Sequence, residues 1–304
     1  MNNVNCRKQL NKSTKTYISP SKGISKSGNL IISILCIISK GLGKVLGFDL
    51  STPREFEENP RYMKWREVLY LGYKYYGKNL NVGEPIGKSI QFTSNLEKVL
   101  IPEQSKAQER LNINIGGDLM PYRIINQKQA KDFWKESGGF FAADLTAANL
   151  ETPIAPSKPA SFVPELMLSN MLFNTNEEQF QVFTNNQTFD VLSVANNHSL
   201  DQGYDGLSET LNFLKEKNIQ NCGAGIVEET TCMTEKKGFK IGWMSWTFSL
   251  NQFTVEPHQE LKINLQRFNK AGEYSIESLK KEAEFLKKKG ADYIILMLHT
   301  GNAY

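Results

Sequence analysis

From Leu111 onward the chain alternates between two patterns of hydrophobic and polar positions. Short apolar runs recur, and each closes on a small polar cluster: Leu111 to Ile115 before Gly116-Gly117-Asp118, Phe140 to Leu145 before Asn149-Leu150-Glu151, Val191 to Ala195 before Asn196-Asn197-His198, and Tyr293 to Leu298 before His299-Thr300-Gly301. Such runs predict buried strands that deliver polar side chains at their C-terminal ends. Amphipathic helices are expected between them. Tyr204 to Lys217 places Leu207, Leu211 and Leu214 on one face. Ser275 can cap a second helix bearing Ile276, Leu279, Ala283 and Leu286, with Gly290 where a terminating glycine belongs. Lys236-Lys237-Gly238 predicts a turn into a strand over Phe239 to Trp246. Strand and helix in alternation predict an α/β architecture, in which ligands bind beyond the carboxyl ends of the strands. Pro153, Pro156, Pro159 and Pro164 exclude regular structure across their span and predict a surface loop beside such a site.

The chain before Leu111 reads differently. Residues 1–29 are polar and basic and lead into the apolar run Leu30 to Ile38, which Lys40 and Lys44 then interrupt. That run is too short for a membrane span of about 20 residues. It suits the apolar core of a secretory signal behind a positive segment, with Gly41 and Gly43 as small residues beyond it. An amphipathic surface helix is the alternative, since Leu42, Val45, Leu46 and Phe48 extend the apolar face. Residues 1–48 are therefore expected to direct the protein to a membrane or across it, with a membrane surface as partner. Leu35 before Cys36 argues against a lipoprotein anchor. Residues 49–109 read as a linker holding one helix. There Tyr62, Trp65, Leu69, Tyr73 and Tyr76 fall three and four apart, a face expected to pack on the main domain at 110–304.

Charge sharpens this division. The whole chain carries 36 Lys+Arg and 32 Asp+Glu, a formal +4. Residues 1–50 hold eight of the basic residues and only Asp49 among the acids, so the remainder has 28 basic against 31 acidic groups, or −3. A slightly acidic body lacks the cationic surface that neutralises phosphates, which removes nucleic acid from the expected partners. Cys222 and Cys232 can pair in an oxidising compartment or stand as two plain thiols, and no Cys spacing suits zinc. Histidine is scarce: His198, His258 and His299 are the full set. His258 follows no strand and reads as a solvated loop residue.

Taken singly the polar clusters are ordinary turn sequences. Together, Asp118, Asn149 with Glu151, Asn197 with His198, and His299 all fall at expected strand ends and can share one rim. Hard oxygen donors mixed with imidazole suit a divalent metal such as Mn, Fe or Zn.

At these residues the sequence resembles the capsule synthesis protein CapA family, the poly-gamma-glutamate capsule biosynthesis proteins related to calcineurin-like metallophosphoesterases. The matching pieces are Gly117-Asp118-Leu-Met-Pro-Tyr-Arg123, Asn149-Leu-Glu-Thr-Pro153, Ala195-Asn-Asn-His-Ser-Leu-Asp-Gln-Gly203, Gly223-Ala-Gly225 and His299-Thr-Gly-Asn-Ala-Tyr304. The resemblance implies a four-layer α/β/β/α sandwich with a metal centre at strand ends, and a role in capsule polymer synthesis or export alongside that machinery. It implies Asp118 and Glu151 as carboxylate ligands supported by Asn149, Asn197 as an amide ligand and His299 as an imidazole ligand. His198 becomes the general acid or transition-state stabiliser, oriented by Asp201. Thr300 and Ala303 depart from the family's His-Trp-Gly-x-Glu-Tyr pattern. The family's Gly-His-x-Pro-His motif is not reached before Tyr304, so the domain is expected to lack its last elements, to expose a sheet edge after Leu298 and to hold metal weakly. Three readings follow: a metal-dependent phosphoesterase or acyl hydrolase, a non-catalytic membrane-associated component of a polymer complex, or an inactive truncated fragment.

Overall fold

The computed structural model describes residues 26–48, 64–77, 110–122, 139–163, 172–184, 186–226, 229–256, 260–267 and 275–300. The basic segment 1–25, most of the 49–109 linker, Cys6, Arg123, Pro164, His258 and residues 301–304 lie outside them. In chain order the elements are helices α1 (Lys26–Leu46) and α2 (Trp65–Gly72), then β1 (Ile113–Leu119), β2 (Leu145–Leu150), α3 (Glu177–Thr184), β3 (Val191–Ser193), α4 (Gly203–Glu216), β4 (Gln220–Cys222), β5 (Ala224–Ile226), β6 (Cys232–Lys236), β7 (Phe239–Thr247), β8 (Leu261–Ile263), α5 (Glu277–Lys288) and β9 (Tyr293–His299).

Helices α1 and α2, with the π-turn Tyr73–Gly77, form one compact unit. Phe48 meets Tyr70 edge-on at 5.5 Å and Tyr73 at 6.0 Å. The Tyr73 ring lies directly over Gly43, where any Cβ would collide with it. The Arg66 guanidinium crosses the Phe48 ring and donates to the Leu46 carbonyl at 3.0 Å, satisfying one of the carbonyls left open at the end of α1. Within this unit the aromatic helix packs against α1, and Tyr70 is its buried ring. Leu30, Ile31, Ile34, Ile37, Ile38 and Val45 form an exposed apolar stripe on α1, with Lys26, Lys40 and Lys44 exposed around it. Among the described residues no helix is long and apolar enough to cross a membrane.

The second unit is a sandwich built by period-two alternation. Strands β1-β2-β3-β4 pair in parallel in that order. Strands β6-β7-β9 make a mixed sheet, with β7 antiparallel to β6 and parallel to β9, while β5 and β8 form a small antiparallel ribbon. Leu145 and Ala147 of β2, Val191 of β3, and Ile241 and Trp243 of β7 meet in a core between the two larger sheets. The intervening residues point outward. Ala148, Leu150 and Leu192 pack under Phe180 of α3 and Leu207 and Leu214 of α4, whereas Met244 and Trp246 pack under Leu286 of α5. The layers are therefore helix, sheet, sheet, helix, the α/β/β/α sandwich expected from the sequence.

Two expected strands are displaced. The Phe140 run forms a 3₁₀ turn, Phe140–Ala142, whose rings stack with Phe189, and the strand begins only at Leu145. Strand β1 continues through Gly116-Gly117-Asp118 instead of stopping before it. A register shift between Ile115 and Asp118 marks a bulge at the two glycines. Gly223, at φ 94, leads from β4 to β5 at a point where a Cβ would lie 2.5 Å from that of Ala195, so only glycine fits. Below it, the Ser193 and Ser245 hydroxyls bond across the two sheets at 2.6 Å. Cys222 and Cys232 are free thiols side by side in the inter-sheet core, and the neighbouring thiol together with burial pushes Cys222 up. Tyr293, Ile294, Leu296 and Leu298 of β9 are exposed, and its outer edge has no strand partner among the described residues.

Candidate metal centre

The site continues the inter-sheet core upward. In β2, Leu145 and Ala147 face the second sheet, so Asn149 and then Glu151 fall on the same side at the strand end. In β9, Ile295 and Met297 face the first sheet and His299 follows them. In β1 the alternation alone would not bring Asp118 into line. The bulge inserts the extra residue that sets Asp118 opposite Asn149. Hydrophobic layers thus give way to a polar one at the C-terminal rim, with Asp118, Asn149 and Glu151 supplied by one sheet and His299 by the other.

One ligand atom from each of Asp118, Glu151 and His299 falls within 4.8 Å of the others. Asn149 Nδ2 donates to Asp118 Oδ1 at 2.8 Å and reaches His299 Nδ1 at 3.2 Å. The other ring nitrogen, Nε2, bonds Asn197 Oδ1 at 2.9 Å and lies 3.8 Å from Glu151 Oε1. Asn197 Nδ2 in turn donates to Asn251 Oδ1 at 3.2 Å. This amide placement suits the His299 tautomer that donates from Nε2 and accepts at Nδ1. Asn196 is fully buried behind this layer. It donates to Asn149 Oδ1 at 3.1 Å and to the Leu150 carbonyl at 2.7 Å, and it accepts from the His198 backbone N–H at 3.0 Å.

The two carboxyls differ sharply. Half-exposed Asp118 is held down to about 2, chiefly by its interaction with His299. Burial pushes Glu151 up to about 8, and the Asp118 charge beside it adds to the effect. Two acids that resist ionising together form a cluster that a cation relieves, and carboxylate, amide oxygen and imidazole are suitable donors for one. The residues therefore fit a divalent metal.

Beside the cluster, His198 Nδ1 and Asp201 Oδ2 lie 2.7 Å apart. The same Oδ2 accepts the Phe173 backbone N–H at 2.7 Å, and the Phe173 ring lies 4.4 Å from the His198 ring at 37°. Gln202 Nε2 latches the Phe173 carbonyl at 2.8 Å. Burial raises Asp201 against the opposing pull of His198, and its Oδ1 is buried with no partner among the described residues. The structure thus brings together all seven residues singled out in the sequence: Asp118, Asn149, Glu151, Asn197, His198, Asp201 and His299. Asn196, Phe173 and Asn251 were not singled out. Asn196 stood inside the Asn-Asn-His cluster, whereas nothing local marks the other two, because their contacts depend on how distant segments fold against each other.

The bacterial capsule synthesis protein PGA_cap family model matches residues 112–304, well over half of the chain. The chain belongs to this family. As a member of the PGA_cap family it is similar to the PGA biosynthesis protein CapA of Bacillus subtilis (strain 168), with 30% identity over 120 residues, which are 38% of this chain and 30% of that protein. It is also similar to the crystal structure of a putative 5'-nucleotidase from Staphylococcus aureus in complex with alpha-ketoglutarate. There the identity is 15% and the TM-score 0.34, over 62% of this chain and 37% of that one, a likeness too loose to bear on chemistry. The chain spans about a third of the length of each.

Proposed function

We propose that this PGA_cap protein is a metal-dependent hydrolase or transferase acting on a phosphoester or acyl bond in the assembly of a bacterial surface polymer. One observation carries the reading: Asp118, Glu151 and His299 converge within 4.8 Å at the strand ends, beside the His198–Asp201 pair. Asp118, Glu151, His299 and the Asn197 carboxamide oxygen would hold Mn, Fe or Zn, with Asn149 fixing Asp118 and His299 from behind. A cation bound there supplies Lewis acidity and a water of lowered pKa. Asp201 holds His198 by Nδ1 and leaves Nε2 as the nitrogen that faces substrate, suited to protonating a leaving oxygen. Phe173 shields one face of that ring from water. The polymer machinery named for the family would supply the substrate.

The test is Mn- or Zn-dependent hydrolysis of a generic phosphodiester and of polyglutamate. His198→Ala should abolish turnover with the far-ultraviolet circular dichroism unchanged. Failure of the purified wild type to bind any divalent metal overturns the proposal.

A second reading, a membrane-associated component of a polymer synthesis or export complex, draws on the exposed Leu30–Val45 stripe of α1 and its flanking lysines. A helix with that surface would lie in a membrane interface, apolar side down. Cell fractionation decides it: recovery wholly in the soluble fraction would exclude this version.

A further inference from the structure

Resting on the metal reading above, we infer that Asn251 is a positioning residue that fixes which atom of the Asn197 carboxamide faces the cation. Only the amide oxygen can act as a ligand, since the amide nitrogen's lone pair is delocalised. Oxygen and nitrogen nearly match in shape, so something must forbid the flipped orientation. Asn251 Oδ1 does so by accepting Asn197 Nδ2 at 3.2 Å, which turns Asn197 Oδ1 toward His299 Nε2 at 2.9 Å. Flipped, Asn197 would set its NH₂ against the His299 N–H and its oxygen against the Asn251 oxygen, losing both bonds.

The backbone that carries this acceptor is itself anchored. Asn251 adopts a left-handed backbone at φ 54, a conformation that asparagine tolerates better than most side chains. Its N–H donates to Ser249 Oγ at 3.0 Å, and the Ser249 carbonyl accepts from Thr247 Oγ1 at 3.0 Å. Thr247 is the last residue of β7 and pairs with His299 of β9, and the Phe248 N–H donates to the His299 carbonyl at 3.2 Å. One turn therefore holds both the His299 backbone and the group that orients Asn197. Asn197 comes from the loop after β3 in the other sheet, so this contact bridges the two sheets at the level of the ligands.

Asn251→Gly separates this role from a merely structural one. Glycine adopts the left-handed turn freely and removes only the acceptor, while Asn251→Asp keeps an acceptor oxygen in place. Isothermal titration with Mn²⁺ should show affinity falling about 10-fold or more in Asn251→Gly, the range for lost outer contacts, and staying near wild type or above it in Asn251→Asp. In the metal-free protein, the Asn197 side-chain amide cross-peaks should move in Asn251→Gly and stay near their wild-type position in Asn251→Asp. Unchanged Mn²⁺ affinity in Asn251→Gly overturns the inference. If the wild type binds no Mn²⁺, the metal reading falls and the metal-free spectra alone decide the orienting role, which unmoved Asn197 cross-peaks would refute.

Discussion

Loading the centre with metal should expel a proton, and Glu151 is the group that releases it. Its carboxyl is 10% exposed and sits at about 8 in the folded, metal-free protein against an ordinary 4.5, first through burial and then through the Asp118 charge. At about pH 6 the protonated form then outnumbers the ionised form by roughly 100 to 1, and a cation must displace that proton to use Glu151. Apparent Mn²⁺ affinity should rise by about tenfold per pH unit up to about pH 8 and level off above it. Isothermal titration at several pH values, repeated in buffers of different ionisation enthalpy, counts the proton directly. Glu151→Gln, which mimics the neutral acid, should bind weakly and lose this part of the pH dependence. The sign for stability follows from the same shift. Because the folded value is raised, the native state keeps a proton that the unfolded chain has lost between 4.5 and about 8. Glu151 therefore contributes fully below that window, and its contribution falls through it by up to about 1.4 kcal/mol per pH unit. Saturating Mn²⁺ should remove the slope. Parallel pH profiles for wild type and Glu151→Gln would refute this account, since they would mean that Glu151 is already ionised or takes no part in binding.

Three further outcomes are open to measurement. Asp201→Asn should lower hydrolysis by about 100-fold while Mn²⁺ affinity stays within a few-fold, because His198 loses its anionic anchor and the ligands do not change; equal activity would remove Asp201 from the mechanism. Gly223→Ala should cost about 2–4 kcal/mol in chemical denaturation, combining a disfavoured φ with a clash against Ala195, and a neutral result would mean that the β4–β5 connection relaxes easily. Ile37→Glu on α1, changing a side chain that is 73% exposed, should abolish flotation with anionic vesicles without altering metal affinity, and retained flotation would place membrane contact elsewhere.

The strand-end logic was legible because an unbroken apolar run closing on a polar cluster leaves a plain signature. Tyr293 to Leu298 is apolar at every position, and β9 occupies it, ending on His299. The Asn149–Glu151 cluster was located correctly even though the apolar run before it was misplaced, since Phe140 and Phe141 are apolar because they pack on Phe189 from a 3₁₀ turn rather than lying in the strand. The bulge was illegible: two glycines before an aspartate look the same in a turn and inside a distorted strand, and only pairing with β2 tells them apart. The aromatic face of α2 was legible only as a face. Spacing shows which residues share a face and is silent about which neighbour arrives to cover it. Asn251 lay beyond any local signal, because its partner belongs to the opposite sheet.

The division of the candidate ligands between the sheets ties the proposed chemistry to the mechanics of the sandwich. Asp118, Asn149 and Glu151 ride on one sheet and His299 on the other, so sliding or opening of one sheet against the other pulls the donors apart before the helices outside need to move. A cation bound across that seam would act as a rivet, adding RT ln(1 + [M]/Kd) to the work of separating the sheets. Chelation should then loosen the inter-sheet layer first, with amide exchange quickening along the upper residues of β2, β7 and β9 while α4 stays protected. Until the two sheets are docked, Asp118 and Glu151 stand at one sheet end without His299, so the three-donor cluster is complete only in the assembled sandwich.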